Sequence, residues 1–428
     1  MNERYKLPAS IRRFERNGKV VLINPEIPSW IVTNNIGELI LFLFDGENST
    51  AEVIDAAVEG LGEHHRKRIE EFCSYVINSR LFETLECKDQ RHPYLLQMVH
   101  LSISDSCNLK CTYCYAAERK ELGINNLSVE EYKRVIDGIR QINPNCSFTI
   151  TGGEPLMNPL WKDIAEYIKG LGNECWLLSN GTLFNESNIV DIKRLFDRVT
   201  VSIDGSRAEV HSLTRGKNYD KVLRAIKLMD ENGINYSLSM TVTRNNISDV
   251  ANMAERYGNR LNFAPLFPVS DFANKELAIT GLEYFQALKS AAGVNPLSYC
   301  ESSLDSSQCS RCHKCAIGDG EISVSASGDV YPCQLLHLKE FYAGNIRETS
   351  ITDIYTHSPA LKKCSQLDVD KIEGCKDCAF RYICGGACRA RAFYEVADVN
   401  SSGDFCVYEK EAFLDGIVNI YNSNILHE

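Results

Sequence analysis

The chain has 428 residues, of which 44% are apolar, so it can bury a substantial core and is long enough for two or three domains. A formal net charge of −11, with no basic cluster beyond short stretches such as HHRKR at 64–68, disfavours a nucleic-acid groove. No apolar run approaches the roughly 18 residues needed to cross a bilayer, and the start lacks a signal-peptide core, so the sequence predicts a cytoplasmic protein without a membrane partner. Eighteen cysteines in a reducing compartment indicate metal binding or catalysis rather than disulfides.

Residues 1–90 are predicted to form a small α+β domain. Strand-like segments at 19–23 and 30–32 are separated by proline turns. Three helical patterns follow, and Ser49 with Glu52 three residues later is typical of a capping box at the start of the second helix. Strands followed by three helices predict a winged-helix-like fold.

Residues 91–293 alternate short strands with amphipathic helices. Six strand candidates lie at 98–104, 147–153, 175–181, 198–205, 234–242 and 259–267. This alternation predicts an α/β fold, a partial (β/α)6 TIM-like barrel with right-handed crossovers. Active sites in such barrels lie at the carboxyl ends of the strands.

The composition changes again after residue 293. Eleven of the eighteen cysteines lie between Cys300 and Cys406, while the helical alternation fades. We therefore expect a third domain over residues 294–428.

A first cysteine motif directly follows the first barrel strand. Cys107, Cys111 and Cys114 have the spacing C-x3-C-x2-C. Three thiolates on so short a loop suit a [4Fe-4S] cluster whose fourth iron stays open to a small molecule, and a zinc knuckle is the alternative. With the aromatic Tyr113 before the last cysteine, the motif resembles the signature of the radical S-adenosylmethionine (SAM) superfamily. In that superfamily the methionine amino and carboxylate groups of SAM occupy the open iron.

Three further strand ends resemble the SAM pocket of the same superfamily. ITGGEPL at 150–156 resembles its GGE motif, which implies glycines that admit the SAM amino group and a glutamate that accepts a hydrogen bond from it. SNGT at 179–182 and VSIDG at 201–205 end the strands where relatives hold the ribose, and LTRGKNYDKVLRAI resembles the segment whose arginine faces the SAM carboxylate. Taken singly, these segments are also compatible with a turn or a solvated charge. The residues implied to bind the cofactor are Tyr113, Gly152, Gly153, Glu154, Ser179, Asn180, Ser202, Asp204 and Arg215.

The cysteines of the last domain resemble those of a SPASM domain. Cys315, Gly328 and Cys333 match its C-x9-15-G-x4-C element, and C-x2-C-x5-C-x3-C with an isolated seventh cysteine follows. The resemblance implies two auxiliary [4Fe-4S] clusters, whereas a zinc ribbon is the alternative. The outer cluster would be held by Cys375, Cys378, Cys384 and Cys406. The inner cluster would be held by Cys315, Cys333 and Cys388, with Cys309, Cys312 or neither as its fourth ligand.

The segment PSWIVTNNIGELILFLFDGENSTAEVI at 28–54 resembles the PqqD-like recognition element of maturases that modify ribosomally made peptides. In that family a leader peptide is added as a strand to the small sheet. A purely structural cap is the alternative.

Taken together, the resemblance implies a radical SAM oxidoreductase that removes hydrogen from a precursor peptide and forms a thioether of the kind found in sactipeptides and ranthipeptides. Its cofactors would be SAM and three [4Fe-4S] clusters, and its electron donor a flavodoxin or ferredoxin. Carbon–carbon or carbon–oxygen cross-linking is the alternative in the same class, and a non-catalytic leader-binding iron–sulfur scaffold or electron-transfer partner is the alternative from another. Anaerobic sulfatase-maturing enzymes typically have an aspartate base directly after the G-x4-C cysteine, where this chain has Gln334. The catalytic general base is therefore unassigned.

Overall fold

A computed structural model describes residues 3–84, 94–114, 126–267, 275–291 and 311–420. Cys309 and both predicted domain boundaries lie outside the described residues. The described part is a mixed α/β structure, and its central sheet contains the six predicted parallel strands.

The first part of the chain is a small sheet backed by helices. Strands β2 (Arg12–Arg16), β3 (Lys19–Asn24) and β4 (Ser29–Thr33) form an antiparallel sheet, and β1 (Arg4–Lys6) pairs with β5 (Asp45–Ser49). The helices are α1 (Asn35–Phe42), α2 (Thr50–Leu61) and α3 (Arg66–Asn78), and the predicted capping box opens α2.

The two faces of this small sheet are buried in different places. Val20, Leu22 and Ile31 pack against α1 to α3. Val21, Ile23, Trp30 and Val32 face the other way and belong to the main core of the molecule. Because strand side chains alternate between faces, the sheet joins its own helices to the rest of the protein.

The central sheet has nine strands in the order β11-β10-β9-β8-β7-β6-β12-β13-β14. Its parallel part comprises β6 (Met98–Ser104), β7 (Ser147–Gly152), β8 (Cys175–Ser179), β9 (Arg198–Ser202), β10 (Tyr236–Val242) and β11 (Leu261–Pro265). The helices between and after these strands are α4 (Val129–Ile142), α5 (Trp161–Gly170), α6 (Ile189–Leu195), α7 (Ala208–Arg215), α8 (Tyr219–Glu231), α9 (Val250–Tyr257) and α10 (Gly281–Ser290). The parallel strands form the buried centre, as covered parallel sheets do.

The cysteine-rich part continues the same sheet. Strand β12 (Glu321–Val324) lies parallel to β6, and β13 (Asp329–Tyr331) and β14 (Gly344–Asn345) follow antiparallel. In its described residues this part also contains five helices: α11 (Ile351–His357), α12 (Pro359–Ser365), α13 (Arg381–Cys384), α14 (Arg389–Val396) and α15 (Cys406–Ile420). Across the described residues, no helix is both long and apolar enough to cross a membrane.

Candidate active site

A cavity of about 370 Å³ lies at the carboxyl ends of the parallel strands. Among the predicted site residues, its wall includes Cys107, Cys111, Tyr113, Cys114, Gly152, Gly153, Ser179, Asn180, Ser202 and Arg215. The predicted residues Glu154 and Asp204 do not line it. The strand ends therefore bring most of the predicted set together, while two carboxylates lie behind the wall.

The three cysteines of the first motif are half-buried free thiols on one side of this cavity. The backbone N–H of Leu109 donates to Cys107 Sγ at 3.4 Å, and Asn180 Nδ2 lies 3.8 Å from the same sulfur. Burial raises the pKa of Cys111, although Arg215 acts in the opposite direction. Cysteines that face N–H donors and a guanidinium suit a metal centre that binds them as thiolates. This donor set fits an iron–sulfur cluster.

The paired glycines allow β7 to end close against the cysteine loop. A Cβ at Gly152 would lie 2.3 Å from Ser104 O, and one at Gly153 would lie 2.2 Å from Ser106 O. Gly152 also has a φ of +133°, a conformation that L side chains rarely adopt. Close backbone packing therefore requires both glycines. This requirement is separate from the approach of a ligand that the GGE motif implies.

Glu154 is fully buried and supports the loop after β8. Its carboxylate accepts hydrogen bonds from Ser179 Oγ at 2.9 Å and from the Asn180 N–H at 2.8 Å. Burial raises its pKa to about 7, while these donors and the Leu156 N–H act to lower it. The side chain thus fixes two cavity-lining residues and lies outside the cavity itself.

Asp204 is also fully buried and supports the opposite wall. It accepts hydrogen bonds from Tyr113 Oη at 2.5 Å, Thr214 Oγ1 at 2.9 Å and the Thr241 N–H at 3.0 Å. Its Oδ2 lies 2.9 Å from Nε of Arg215, whose side chain is only 10% exposed. Burial opposes the charge on Arg215, but Asp204 keeps the pKa of the guanidinium above its usual value. A buried ion pair therefore holds Arg215 at the cavity.

Sequence reasoning missed several residues of the wall. They are Leu109, Thr151, Leu178, Ser239, Thr241, Ala264, Pro265, Leu266, Phe267 and Leu335. In β10 the polar positions alternate with the buried Leu238, Met240 and Val242, and that alternation was the signal for Ser239 and Thr241. Gln334, at the position where the sulfatase-maturing group has its aspartate, also lines the cavity together with the first cysteine motif.

Arg391 on α14 connects the cavity wall to the cysteine-rich part. Its guanidinium donates to the carbonyls of Pro265 at 2.9 Å and Leu266 at 3.4 Å, both at the end of β11. It also lies 4.1 Å from the ring centroids of Phe267 and Phe405. One buried side chain therefore fixes the last barrel strand against the following domain.

The remaining predicted ligands form two groups. The inner set is Cys315, Cys333 and Cys388. Burial raises the pKa of Cys333 well above its usual value, and the charges of Glu321, Cys388 and Cys315 raise it further. Cys312 lies near Tyr94, with 3.7 Å between Tyr94 Oη and Cys312 Sγ.

The outer set is Cys375, Cys378, Cys384 and Cys406. Burial raises the pKa of Cys384 well above its usual value, and the charges of Glu409 and the other three cysteines raise it further. All members of both sets are free cysteines, so they keep the donor chemistry that an iron–sulfur cluster needs.

The comparison with known families agrees with this architecture. Residues 101–257 match the radical SAM superfamily, and residues 312–379 match SPASM, an iron–sulfur cluster-binding domain. The chain is therefore an enzyme that carries a radical SAM domain followed by a SPASM domain and acts by radical chemistry. Domains of these two kinds bind SAM and [4Fe-4S] clusters.

The chain is similar to individual proteins of two different functions. The chain is 27% identical to an AdoMet-dependent heme synthase of Oleidesulfovibrio alaskensis, over 73% of this chain and 87% of the relative. It is 28% identical to the antilisterial bacteriocin subtilosin biosynthesis protein AlbA of Bacillus subtilis, over 66% of this chain and 65% of the relative.

Two solved structures share the fold. One is anSMEcpe with bound AdoMet and Kp18Cys peptide, with a TM-score of 0.62 and 25% identity over 76% of this chain and 99% of that one. The other is Streptococcus suis SuiB bound to its precursor peptide SuiA, with a TM-score of 0.57 and 14% identity over 94% of this chain and 99% of that one.

Proposed function

We propose that the protein is a maturase that removes hydrogen from a ribosomally made precursor peptide and links a cysteine sulfur to carbon as a thioether. The observation that carries the peptide assignment is the amino-terminal sheet. Among the described residues β2 pairs with β3 alone, and three of its five side chains are exposed. An unpaired strand edge can receive an extended peptide through main-chain hydrogen bonds.

The comparisons support a peptide substrate. AlbA acts in the biosynthesis of a bacteriocin, and both structural neighbours have a peptide bound. The SuiB fold extends over nearly the whole chain, including residues outside the two matched domains.

In this proposal Cys107, Cys111 and Cys114 would hold the first cluster, and SAM, when bound there, would supply the radical chemistry that removes hydrogen from the peptide. Arg215, held by Asp204, faces the cavity and can bind the carboxylate of SAM. The N–H groups near Cys107 stabilise its thiolate.

Other parts of the wall orient the cofactor and exclude water. Gly152, Gly153, Ser179, Asn180 and Ser202 offer backbone and hydroxyl groups to SAM. Four apolar side chains also line the cavity: Leu178, Leu266, Phe267 and Leu335. Apolar lining reduces the access of water to a carbon radical before it reacts with the peptide.

The inner and outer sets would hold two auxiliary [4Fe-4S] clusters, giving three in all, and they would accept the electron that the cross-linked peptide loses. A flavodoxin or ferredoxin would supply the reducing electron to the first cluster. Cys312, Cys309 or a substrate thiolate would complete the inner cluster.

Gln334 argues against formylglycine formation. It lines the cavity, but a carboxamide cannot take up a proton as the carboxylate of the sulfatase-maturing group does. Among the described residues of the wall there is no carboxylate and no histidine. In this proposal the proton of the reacting thiol would pass to a group other than a carboxylate or histidine of the described wall.

A second candidate is a reaction on a heme precursor, because the heme synthase matches most of this chain. One experiment separates the two candidates. Reconstituted enzyme, SAM and a reductant are incubated anaerobically with a candidate precursor peptide or with a heme precursor, and the peptide is then alkylated and weighed by mass spectrometry. We expect a loss of two hydrogens per cross-link, with one fewer alkylatable cysteine for each.

The same mass loss with every thiol alkylated would assign the new bond to carbon or oxygen. If only the heme precursor is converted, the reaction on a heme precursor replaces the proposed peptide modification. If neither substrate yields 5′-deoxyadenosine, the protein is a non-catalytic scaffold. Cys111→Ala is expected to abolish turnover, whereas Cys146→Ala, at a fully buried core thiol that does not line the cavity, is the matched control. Iron analysis should give about twelve irons per chain if three four-iron clusters are present.

A further inference from the structure

Two side chains of strand β2 contact the cysteine-rich part of the chain, and two face the amino-terminal helices. Arg13 and Glu15 stand opposite Leu22 and Val20, which pack against the amino-terminal helices. Phe14 stands opposite Val21, on the face that belongs to the main core, and Arg16 shares that face. Strand β2 therefore connects the amino-terminal sheet to the residues that pack on its main-core face.

Phe14 contacts the surroundings of the outer set. Its ring lies 5.4 Å from the ring of Phe380, which in turn stacks on Phe413 at 6.0 Å. The backbone N–H of Phe380 donates to Cys378 Sγ at 3.4 Å. Phe14 of the amino-terminal domain thus packs against Phe380, whose backbone N–H donates a hydrogen bond to a sulfur of the outer set.

Arg16 contacts the same set through a helix. It lies 2.5 Å from Asp415 Oδ1 and 2.8 Å from Glu411 Oε2, both on α15. Helix α15 begins at Cys406, another member of the outer set. The Arg16 side chain is 19% exposed and that of Asp415 only 6%, so solvent screens this ion pair far less than a surface pair.

We propose that Phe14 and Arg16 are positioning residues for the cluster of the outer set, supplied by the amino-terminal domain. This rests on the assignment of that set to a cluster in the proposed function. Groups that orient metal ligands and donate to their sulfurs tune both metal retention and reduction potential. The amino-terminal sheet is therefore part of the environment of the outer cluster, and a change at β2 reaches the cluster through Phe380 and α15.

The test compares Phe14→Ala and Arg16→Ala with Arg13→Ala in the anaerobically reconstituted full chain. Arg13 is the matched control because it lies on the same strand and its ion pairs with Glu38 and Glu15 stay within the amino-terminal domain. The readouts are the rate at which a chelator removes iron and a redox titration followed by electron paramagnetic resonance. The outer-cluster signal is the one that Cys378→Ala removes.

Both variants should accelerate iron loss from the outer cluster by roughly tenfold and shift its potential, since loss of such supporting groups typically costs 10- to 100-fold in metal affinity. Arg13→Ala should match the wild type, and Arg16→Lys and Phe14→Leu, which keep charge and bulk, should lie between. Equal behaviour of Arg16→Ala and Arg13→Ala, or an equal change in the first cluster, would overturn the proposal.

A reciprocal measurement needs no change in β2. Hydrogen exchange of residues 12–16 should increase in Cys378→Ala and stay unchanged in Cys111→Ala, which affects only the first cysteine motif. Equal exchange in the two variants would contradict the coupling. Neither measurement uses a peptide, so the absence of cross-linking activity would leave this test intact.

Discussion

Replacing Asp204 by Asn separates two roles that the strand end after β9 can have. The sequence motif implies a contact with the ribose of SAM, whereas the structure shows a buried carboxylate that holds Tyr113 and Arg215. A ribose contact predicts weaker SAM binding with unchanged folding. A buried support predicts weaker SAM binding together with a clear loss of stability before any ligand is added.

The expected loss of stability in Asp204→Asn follows from the buried ion pair between Asp204 and Arg215. Removing one partner of a buried pair costs about 3–5 kcal/mol, because the other charge stays buried without its counter-charge. Asn keeps the shape and the oxygen that accepts from the Thr241 N–H, so the lower end, about 3 kcal/mol, applies. For a domain of this size that corresponds to a fall of roughly 6–12 °C in the unfolding temperature.

Anaerobic calorimetry and a SAM-binding titration on the same samples provide the assay. Ser202→Ala is the control, since Ser202 lies on the same strand and lines the cavity without supporting Arg215. It should weaken SAM binding and leave the unfolding temperature within about 2 °C, as expected for a change of under about 0.5 kcal/mol. The double variant Asp204→Asn with Arg215→Met should regain part of the lost stability. Wild-type unfolding of Asp204→Asn would refute the support role.

Three further outcomes are expected. Arg391→Met should raise the ratio of 5′-deoxyadenosine to modified peptide at least about tenfold, measured by mass spectrometry, because the cavity wall loses its link to the cysteine-rich part of the chain. Gly152→Ala should destabilise the barrel strongly in thermal unfolding, since its Cβ would meet a backbone oxygen at 2.3 Å, whereas Gly170→Ala has open space and should be neutral or stabilising. Arg347 lowers the pKa of Glu131 from 4.5 to about 2, so their pair stabilises the fold above pH 4.5 and the contribution is lost as pH falls toward 2. The stability deficit of Glu131→Gln, about 1 kcal/mol at neutral pH, should therefore shrink over that range.

Much of the barrel was predictable from the chain because its strands are short apolar runs between amphipathic helices. The two auxiliary cysteine sets were implied by the resemblance to SPASM domains and not by local spacing, because Cys315, Cys333 and Cys388 lie far apart in the sequence. Strand β2 was missed because RRFER has one apolar residue in five and lacks the alternation typical of a half-buried strand. Strand β2 is held in place by its pairing with β3 and by contacts with residues almost 400 positions away.

The orientation of the two carboxylates was not predictable. Glu154 and Asp204 each follow a strand, and a sequence motif is the same whether such a side chain faces a ligand or a neighbouring loop. The structure resolves this because their donors come from Ser179 and from Thr214, on other segments. The continuation of the barrel sheet into β12 was missed for a related reason, because the pairing of Leu101 with Val324 joins distant parts of the chain.

The pairing of β6 with β12 also sets the distance between the first cysteine motif and the inner set. Strand β6 leads to Cys107, and the hairpin that begins with β12 leads to Cys333, so the first cysteine motif and the inner set extend from adjacent hydrogen-bonded strands. A flexible linker between the two cysteine sets would let their separation vary, whereas hydrogen-bonded neighbouring strands hold it constant. In the proposed function, the separation of the two clusters, and with it the rate of electron tunnelling between them, would therefore be set by the backbone, and peptides of different bulk would be accommodated by loops.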